Sequence, residues 1–140
     1  MNSIIYICFA SIILLNTCSK KDSSIDNGLK KQVVFGNGGG FTGQINEYIL
    51  FENGDLFLNN PVKQESKIIK TLTKTETKDI FEKIISLNLD KNQFIHPGNL
   101  YYFVKFLSNG KIYEVTWGDN KFLVPPEVKE FYNFLMSKTK

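Results

Sequence analysis

LYYFVKFLS at residues 100–108 and KIYEVTW at residues 111–117 are two apolar runs joined by Asn109-Gly110. Asn-Gly readily adopts the positive φ angles that a two-residue hairpin turn requires. Tight turns of this kind connect antiparallel strands, so the stretch predicts a β-hairpin.

A second hairpin is predicted upstream by the same signal. INEYILFE at residues 45–52 and DLFLN at residues 55–59 lie on either side of Asn53-Gly54, where we expect another two-residue turn. Residues 32–35 and 65–72 are two further candidate strands.

Two helices are predicted by spacing. Thr73 and Glu76 match a capping box, and the apolar stripe that follows predicts an amphipathic helix over residues 74–88. Pro126 is tolerated in the first turn of a second helix. The apolar positions of that helix recur at i, i+3, i+4, i+7 and i+8, namely Val128, Phe131, Tyr132, Leu135 and Met136. We therefore expect an α+β fold in which an antiparallel sheet of about five or six strands, built from two hairpins, has both helices packed on one face.

Composition indicates one domain. The 140 residues are 42% hydrophobic and include 12 phenylalanines, which is enough apolar material for a core. Basic and acidic residues are interspersed and give a net charge of only +3. A nucleic-acid-binding protein would be expected to gather its basic residues on one face, so we expect no nucleic-acid partner.

The N-terminus has the features of a secretion signal. Residues 4–15 form one apolar run, within the roughly 7 to 15 residues typical of a signal-peptide core. A helix that spans a bilayer needs about 20 apolar residues. Residues 1–17 are therefore predicted to be a signal peptide.

Leu15-Asn16-Thr17-Cys18 resembles the lipobox of bacterial lipoproteins. The resemblance implies cleavage before Cys18 and diacylation of its thiol, which would anchor the protein stably in a membrane. Residues 18–31 are polar and predict a flexible tether, followed by a single domain at residues 32–140. We expect a location in the bacterial cell envelope, at the outer membrane, with the periplasmic and surface sides both open.

A glycine-rich segment covers residues 36–43, in which Gly38, Gly40 and Gly43 match Gly-x-Gly-x-x-Gly. In a dinucleotide-binding fold this pattern opens a helix, whereas here a predicted strand follows, so the context is wrong. Two interpretations stay open. The glycines permit a tight turn or bulge with Phe41 in the core, or the segment contacts a ligand or partner. The candidate contact residues are Gly38, Gly39, Gly40, Phe41, Thr42, Gly43 and Trp117.

The segment GGGFTG at residues 38–43 is also similar to a group of small bacterial proteins. In that group it precedes a tyrosine-bearing strand, an Asn-Gly hairpin, a helix, a Pro-Gly-Asn segment and a paired strand. Some members resemble emfourin, a protein inhibitor of metallopeptidases. The resemblance covers residues 33–136 and implies a peptidase-inhibitor function as an alternative.

Residues that could carry catalysis are sparse. His96 is the only histidine and is expected to be a loop residue, and no cysteine follows Cys18, so a zinc site cannot be assembled in the usual way. No spacing singles out two of the candidate acids Glu47, Glu52, Asp55, Glu114 and Asp119 as a catalytic pair. We expect no metal and no cofactor.

Tyr101, Tyr102, Tyr113 and Trp117 lie on the second predicted hairpin. Alternation places Tyr113 and Trp117 together on one face, which is core if helices cover it and a surface for a sugar or a partner protein if they do not.

The preferred function is a non-catalytic module, anchored in the envelope, that binds a protein or small ligand. Two alternatives remain, which are a peptidase inhibitor of emfourin-like type and an enzyme with a dispersed carboxylate site. A purely structural lipoprotein would show neither cleft nor patch on its surface.

Replacing the lipobox cysteine tests the anchor. A Cys18→Ser chain cannot form the thioether to lipid, so it should lack the lipid mass in intact-protein mass spectrometry and leave the membrane fraction. A variant that stays in the membrane with its leader intact would contradict the lipoprotein assignment.

Overall fold

The fold is described by a computed structural model for residues 31–91 and 93–140. The predicted signal peptide, Cys18 and nearly all of the predicted tether lie outside the described residues. The described part contains seven strands, which are β1 (Lys31–Gly39), β2 (Gln44–Phe51), β3 (Asp55–Asn60), β4 (Glu65–Thr71), β5 (Phe94–His96), β6 (Leu100–Ser108) and β7 (Lys111–Trp117). The helices there are α1 (Lys74–Ser86) and α2 (Pro126–Ser137).

All seven strands form one sheet in the order β4-β3-β2-β1-β6-β7-β5. Neighbouring strands are antiparallel except β5, which runs parallel to β7. The fold is therefore α+β, as predicted, but the expectation of a purely antiparallel sheet of five or six strands is wrong. The additional strand, β5, has only three residues, which is too short for alternation of polar and apolar residues to be recognised.

The two Asn-Gly turns differ in length. Asn109 and Gly110 have φ of 50° and 74°, and Ser108 pairs with Lys111, so this turn has the two residues predicted. The upstream turn is longer, because β2 ends at Phe51 and β3 begins at Asp55. There Gly54, with φ of 95°, donates its N–H to the Phe51 carbonyl at 2.9 Å. The prediction of a two-residue turn at Asn53-Gly54 is thus wrong by one residue.

The helix α1 begins at the predicted capping box. The Thr73 hydroxyl accepts the Glu76 N–H at 3.2 Å, and the Glu76 carboxylate accepts the Thr73 N–H at 3.1 Å. These bonds satisfy two backbone donors that have no partner within the helix. The helix ends at Ser86, two residues earlier than predicted.

Both helices pack on the same face of the sheet. Phe81 of α1 contacts Phe106, and Tyr132 of α2 contacts Tyr102 and Trp117. The register of β6 and β7 places those three sheet residues on one face, which we call the helix-side face. The fully buried core side chains include Val33, Phe35, Leu50, Leu56, Ile80, Ile84, Val104, Val115 and Leu135. No helix in the described residues is both long and apolar enough to cross a membrane.

The C-terminal end of α2 is tied to the start of α1. The Lys138 ammonium donates to the Glu76 carboxylate at 2.8 Å. This bond, together with the bonds from Thr73, lowers the pKa of Glu76 to about 2 from an ordinary value of 4.5. A carboxylate whose pKa is lower in the folded than in the unfolded chain stabilises the fold once it is ionised.

We predict that Glu76→Gln lowers the free energy of unfolding near neutral pH, because it removes the charge and keeps a residue that can complete the capping box. The stabilisation by Glu76 is complete above pH 4.5 and is lost as the pH falls to about 2. Urea unfolding of both proteins across this range checks the prediction. A difference in stability that does not change with pH would contradict the assignment to the Glu76 charge.

Candidate functional site

The first half of the glycine-rich segment belongs to strand β1 rather than to a loop. A Cβ atom on Gly38 would lie 2.6 Å from the Tyr101 hydroxyl, and one on Gly39 would lie 2.1 Å from the Asn99 carbonyl oxygen. The Asn99 oxygen is a backbone atom, so packing requires a glycine at position 39, whereas a side chain at position 38 would require the end of the Tyr101 side chain to move. Of the predicted contact residues Gly38 and Gly39, Gly39 therefore fixes the position of the hairpin that carries the rest of the segment.

The turn between β1 and β2 consists of Gly40, Phe41, Thr42 and Gly43. Gly40 donates its N–H to the Asn99 carbonyl at 2.8 Å, and Gly43 donates its N–H to the Gly40 carbonyl at 3.1 Å. The turn is thus hydrogen-bonded both internally and to the segment before β6. Phe41 at its tip is fully exposed. The alternative in which Phe41 packs in the core is therefore wrong.

A row of four side chains crosses the helix-side face next to this turn. The strand register pairs Asn46 of β2 with Asn37 of β1, Asn37 with Tyr102 of β6, and Tyr102 with Trp117 of β7. The Asn46 amide donates to the Asn37 side-chain oxygen at 3.2 Å. The Tyr102 and Trp117 rings are stacked with centroids 5.7 Å apart. Two amides thus adjoin two aromatic rings.

Tyr132 of α2 packs over this row. Its ring meets Trp117 edge to face at 5.2 Å and Tyr102 at 5.7 Å, and its hydroxyl accepts a hydrogen bond from the Asn37 amide at 3.5 Å. Burial raises the pKa of Tyr132, and the bond from Asn37 opposes this change. Trp117 is only 8% exposed as a result, so the helix-side face is core at this residue, whereas Tyr102 is 38% exposed.

An open cavity of about 860 Å3, which we call the aromatic groove, begins at this row. Its walls come from β6, β7, the connection to α2 and α2 itself. The residues are Tyr102, Trp117, Gly118, Asp119, Asn120, Phe122, Leu123, Val124, Pro125, Pro126, Lys129, Tyr132 and Asn133.

Phe122 forms the outer wall of the aromatic groove and is supported by His96. The two rings are stacked with centroids 3.8 Å apart and an interplanar angle of 10°. His96 lies in strand β5 and is half-buried, so its prediction as a loop residue is wrong. Phe122 remains 44% exposed.

A smaller cavity of about 350 Å3, the amide cleft, lies between the aromatic groove and the β1–β2 turn. It is lined by Asn37, Gly38, Gly39, Thr42, Gln44, Asn46, Leu100, Tyr101 and Tyr102. Tyr102 lines both cavities, so the two form neighbouring parts of one surface.

Of the five candidate acids, Asp119 lines the aromatic groove, where its side chain accepts the Lys121 N–H at 2.9 Å. Glu47 accepts from Asn59 at 2.6 Å, and Glu114 pairs with Lys105 at 3.4 Å. None of Glu47, Glu52, Asp55 and Glu114 lines the groove or the amide cleft. Within the described part of the chain, no group of three or more His, Cys, Asp or Glu residues is placed to hold a metal ion.

Comparison with known proteins adds no relative. No family model matches this chain, and no curated protein matches it. The lipobox and emfourin resemblances therefore stay predictions.

The sequence predicts Trp117 as a contact residue but does not predict most of the surface around it. Asn37, Asn46 and Phe122 are polar or isolated residues on three different elements, and only the sheet register brings the two asparagines beside Tyr102. The prediction that Tyr132 lies on the apolar face of α2 is confirmed, because its side chain is buried. One signal for this surface is present in the sequence. Asn37, Gln44 and Asn46 are amides at strand positions where apolar residues would be expected.

Two glycine substitutions separate packing from backbone conformation in the hairpin. Gly39 and Gly43 both have positive φ, but only Gly39 has a backbone atom where a Cβ would lie. We predict that Gly43→Ala costs about 1 to 2 kcal/mol, and that Gly39→Ala costs about 1 to 3 kcal/mol more because it also overpacks the contact with Asn99. Urea unfolding measures both. Equal losses would show that the approach to Asn99 is not a constraint.

Proposed function

We propose that the chain is an envelope lipoprotein whose domain binds a protein partner without catalysis, through the tip of the β1–β2 hairpin. The observation that carries the proposal is the full exposure of Phe41 on a turn that is held by hydrogen bonds. A single exposed apolar residue is ordinary on a protein surface. An aromatic side chain at the tip of a fixed turn, however, is a suitable anchor for a pocket on a partner.

The β1–β2 turn is pre-organised for binding. Burying a phenylalanine side chain contributes about 1.5 to 3 kcal/mol relative to leaving it exposed. Binding loses part of such a gain when the loop must first be ordered. Here the Gly40–Asn99 hydrogen bond and the close approach of Gly39 to the Asn99 backbone already hold the turn. More of the gain from burying Phe41 is then available for binding.

Lipid on Cys18 would complement this site by keeping the domain at a membrane surface. A partner in the same envelope compartment would then meet the hairpin at a raised local concentration, so that a small contact around Phe41 would be sufficient.

A second candidate, inhibition of a metallopeptidase in the manner of emfourin, is favoured by the same residue. A phenylalanine on a fixed, protruding turn has the form of a side chain that could enter the specificity pocket of a peptidase. In this case the partner would be a peptidase, and the turn would occupy its substrate cleft.

Site-specific photo-crosslinking tests the hairpin contact. The full chain, produced in cells of its own organism, carries a benzoylphenylalanine in place of Phe41. A matched control carries it in place of Val62, which is exposed in the turn between β3 and β4. We expect a discrete adduct with one protein from position 41 and none from position 62.

Identification of the adduct by mass spectrometry separates the two candidates. A metallopeptidase would favour inhibition, and any other envelope protein would favour the general binding function. The absence of an adduct at position 41, or the same adducts at both positions, would contradict binding through the hairpin tip.

A further inference from the structure

A second surface, which does not include Phe41 at the hairpin tip, has side chains that are suited to binding a ligand. It consists of the aromatic groove and the amide cleft, which meet at Tyr102. It occupies the end of the helix-side face that begins at the row of Asn46, Asn37, Tyr102 and Trp117. The next position outward pairs Gln44 with Gly39 and Gly39 with Leu100, and the Gln44 and Leu100 side chains are exposed.

Two aromatic rings in this surface are each supported from behind by another ring. Tyr102 stacks on Trp117, and Phe122 stacks on His96, while both Tyr102 and Phe122 keep a large exposed fraction. Because a neighbouring ring fixes the orientation of each, the exposed part of Tyr102 or Phe122 can contact a ligand without further ordering. Such an exposed ring suits a ligand that has flat apolar patches of its own.

The polar groups beside these rings are mainly uncharged amides. Asn37, Gln44 and Asn46 line the amide cleft, and Asn120 and Asn133 line the aromatic groove. An amide offers both donors and an acceptor, as does a hydroxyl group. Asn46 uses one amide hydrogen on Asn37, and no other side-chain bond of Asn46 is formed within the described residues. Its second hydrogen and its oxygen are available to a ligand.

The charged and amide side chains of the surface exclude two other ligand classes. Asp119 and Lys129 are the charged residues that line the two cavities, and they have opposite signs. A polyanion such as nucleic acid requires several basic groups. A hydrocarbon chain would leave the amides unpaired on binding, which is costly.

We propose that the aromatic groove and the amide cleft bind an uncharged saccharide of more than one ring. The apolar face of one sugar ring stacks on Tyr102, and its hydroxyl groups bond to the amides of Asn37 and Asn46. A second ring extends over the groove toward Phe122. The groove volume of about 860 Å3 lies within the roughly 300 to 1,000 Å3 of ligand pockets. Thr42 of the β1–β2 turn lines the amide cleft, but Phe41 lines neither cavity, so this site does not depend on the Phe41 side chain.

Trp117 provides the readout, since it is the only tryptophan in the chain and lies directly behind Tyr102. The full chain, purified in a detergent without a sugar headgroup, is titrated with cellotetraose, tetra-N-acetylchitotetraose and maltotetraose up to about 10 mM. We expect a saturable change in tryptophan fluorescence with at least one of them. An uncharged hexapeptide that contains proline and tyrosine is titrated in parallel.

Three variants make the result specific. Tyr102→Leu keeps an apolar cover on Trp117 and removes the stacking ring, so it should weaken binding by about tenfold or more. Tyr102→Phe keeps the ring and should retain binding within about threefold, and circular dichroism checks that both variants fold. Phe41→Ala should leave saccharide affinity unchanged, which makes this test independent of the crosslinking result.

The proposal is overturned if no oligosaccharide gives a saturable change, or if only the hexapeptide does. It is also overturned if Tyr102→Leu binds as tightly as the unaltered chain.

Discussion

The close approach of backbones around strand β1 is the constraint on which the rest of the structure depends. This strand is central and pairs along its length with β2 on one side and β6 on the other. A Cβ on Gly36 would lie 2.0 Å from the Asn46 carbonyl oxygen, and Gly39 has the same relation to Asn99. The missing side chains let β1 join the two halves of the sheet. They also place Asn37 beside Tyr102 and Asn46 beside Asn37.

Local sequence chemistry predicted the elements whose geometry is decided by a few adjacent residues. Asn109-Gly110 formed the expected turn because two positive φ angles in succession favour those residue types, and Thr73 and Glu76 capped α1 as predicted. The parallel strand β5 escaped prediction because it is stabilised by pairing with β7, about twenty residues away in sequence. Such long-range pairing leaves no periodic signal in three residues.

The candidate site was predicted only in part, for the same physical reason. The glycine-rich segment was recognisable, but sequence alone could not separate Gly39, which packs against backbone, from Gly43, which has open space. Nor could it decide that Phe41 is exposed, since a large aromatic residue is more often buried. Both questions depend on how closely the segment before β6 approaches the turn, which is a property of the sheet register.

The direction of β1 connects the proposed anchor to the two proposed binding surfaces. The chain enters β1 at Lys31, the last residue of the predicted tether, and reaches the β1–β2 turn nine residues later. A strand rises about 3.3 Å per residue, so Phe41 lies about 30 Å from the point where the tether joins the domain. Tyr102, near the start of β6, and Trp117, at the end of β7, lie at the same end of the sheet as this turn. An anchor at Cys18 would thus attach at one end of β1 and leave the hairpin tip and the aromatic groove at the other end, accessible to partners and glycans of the envelope.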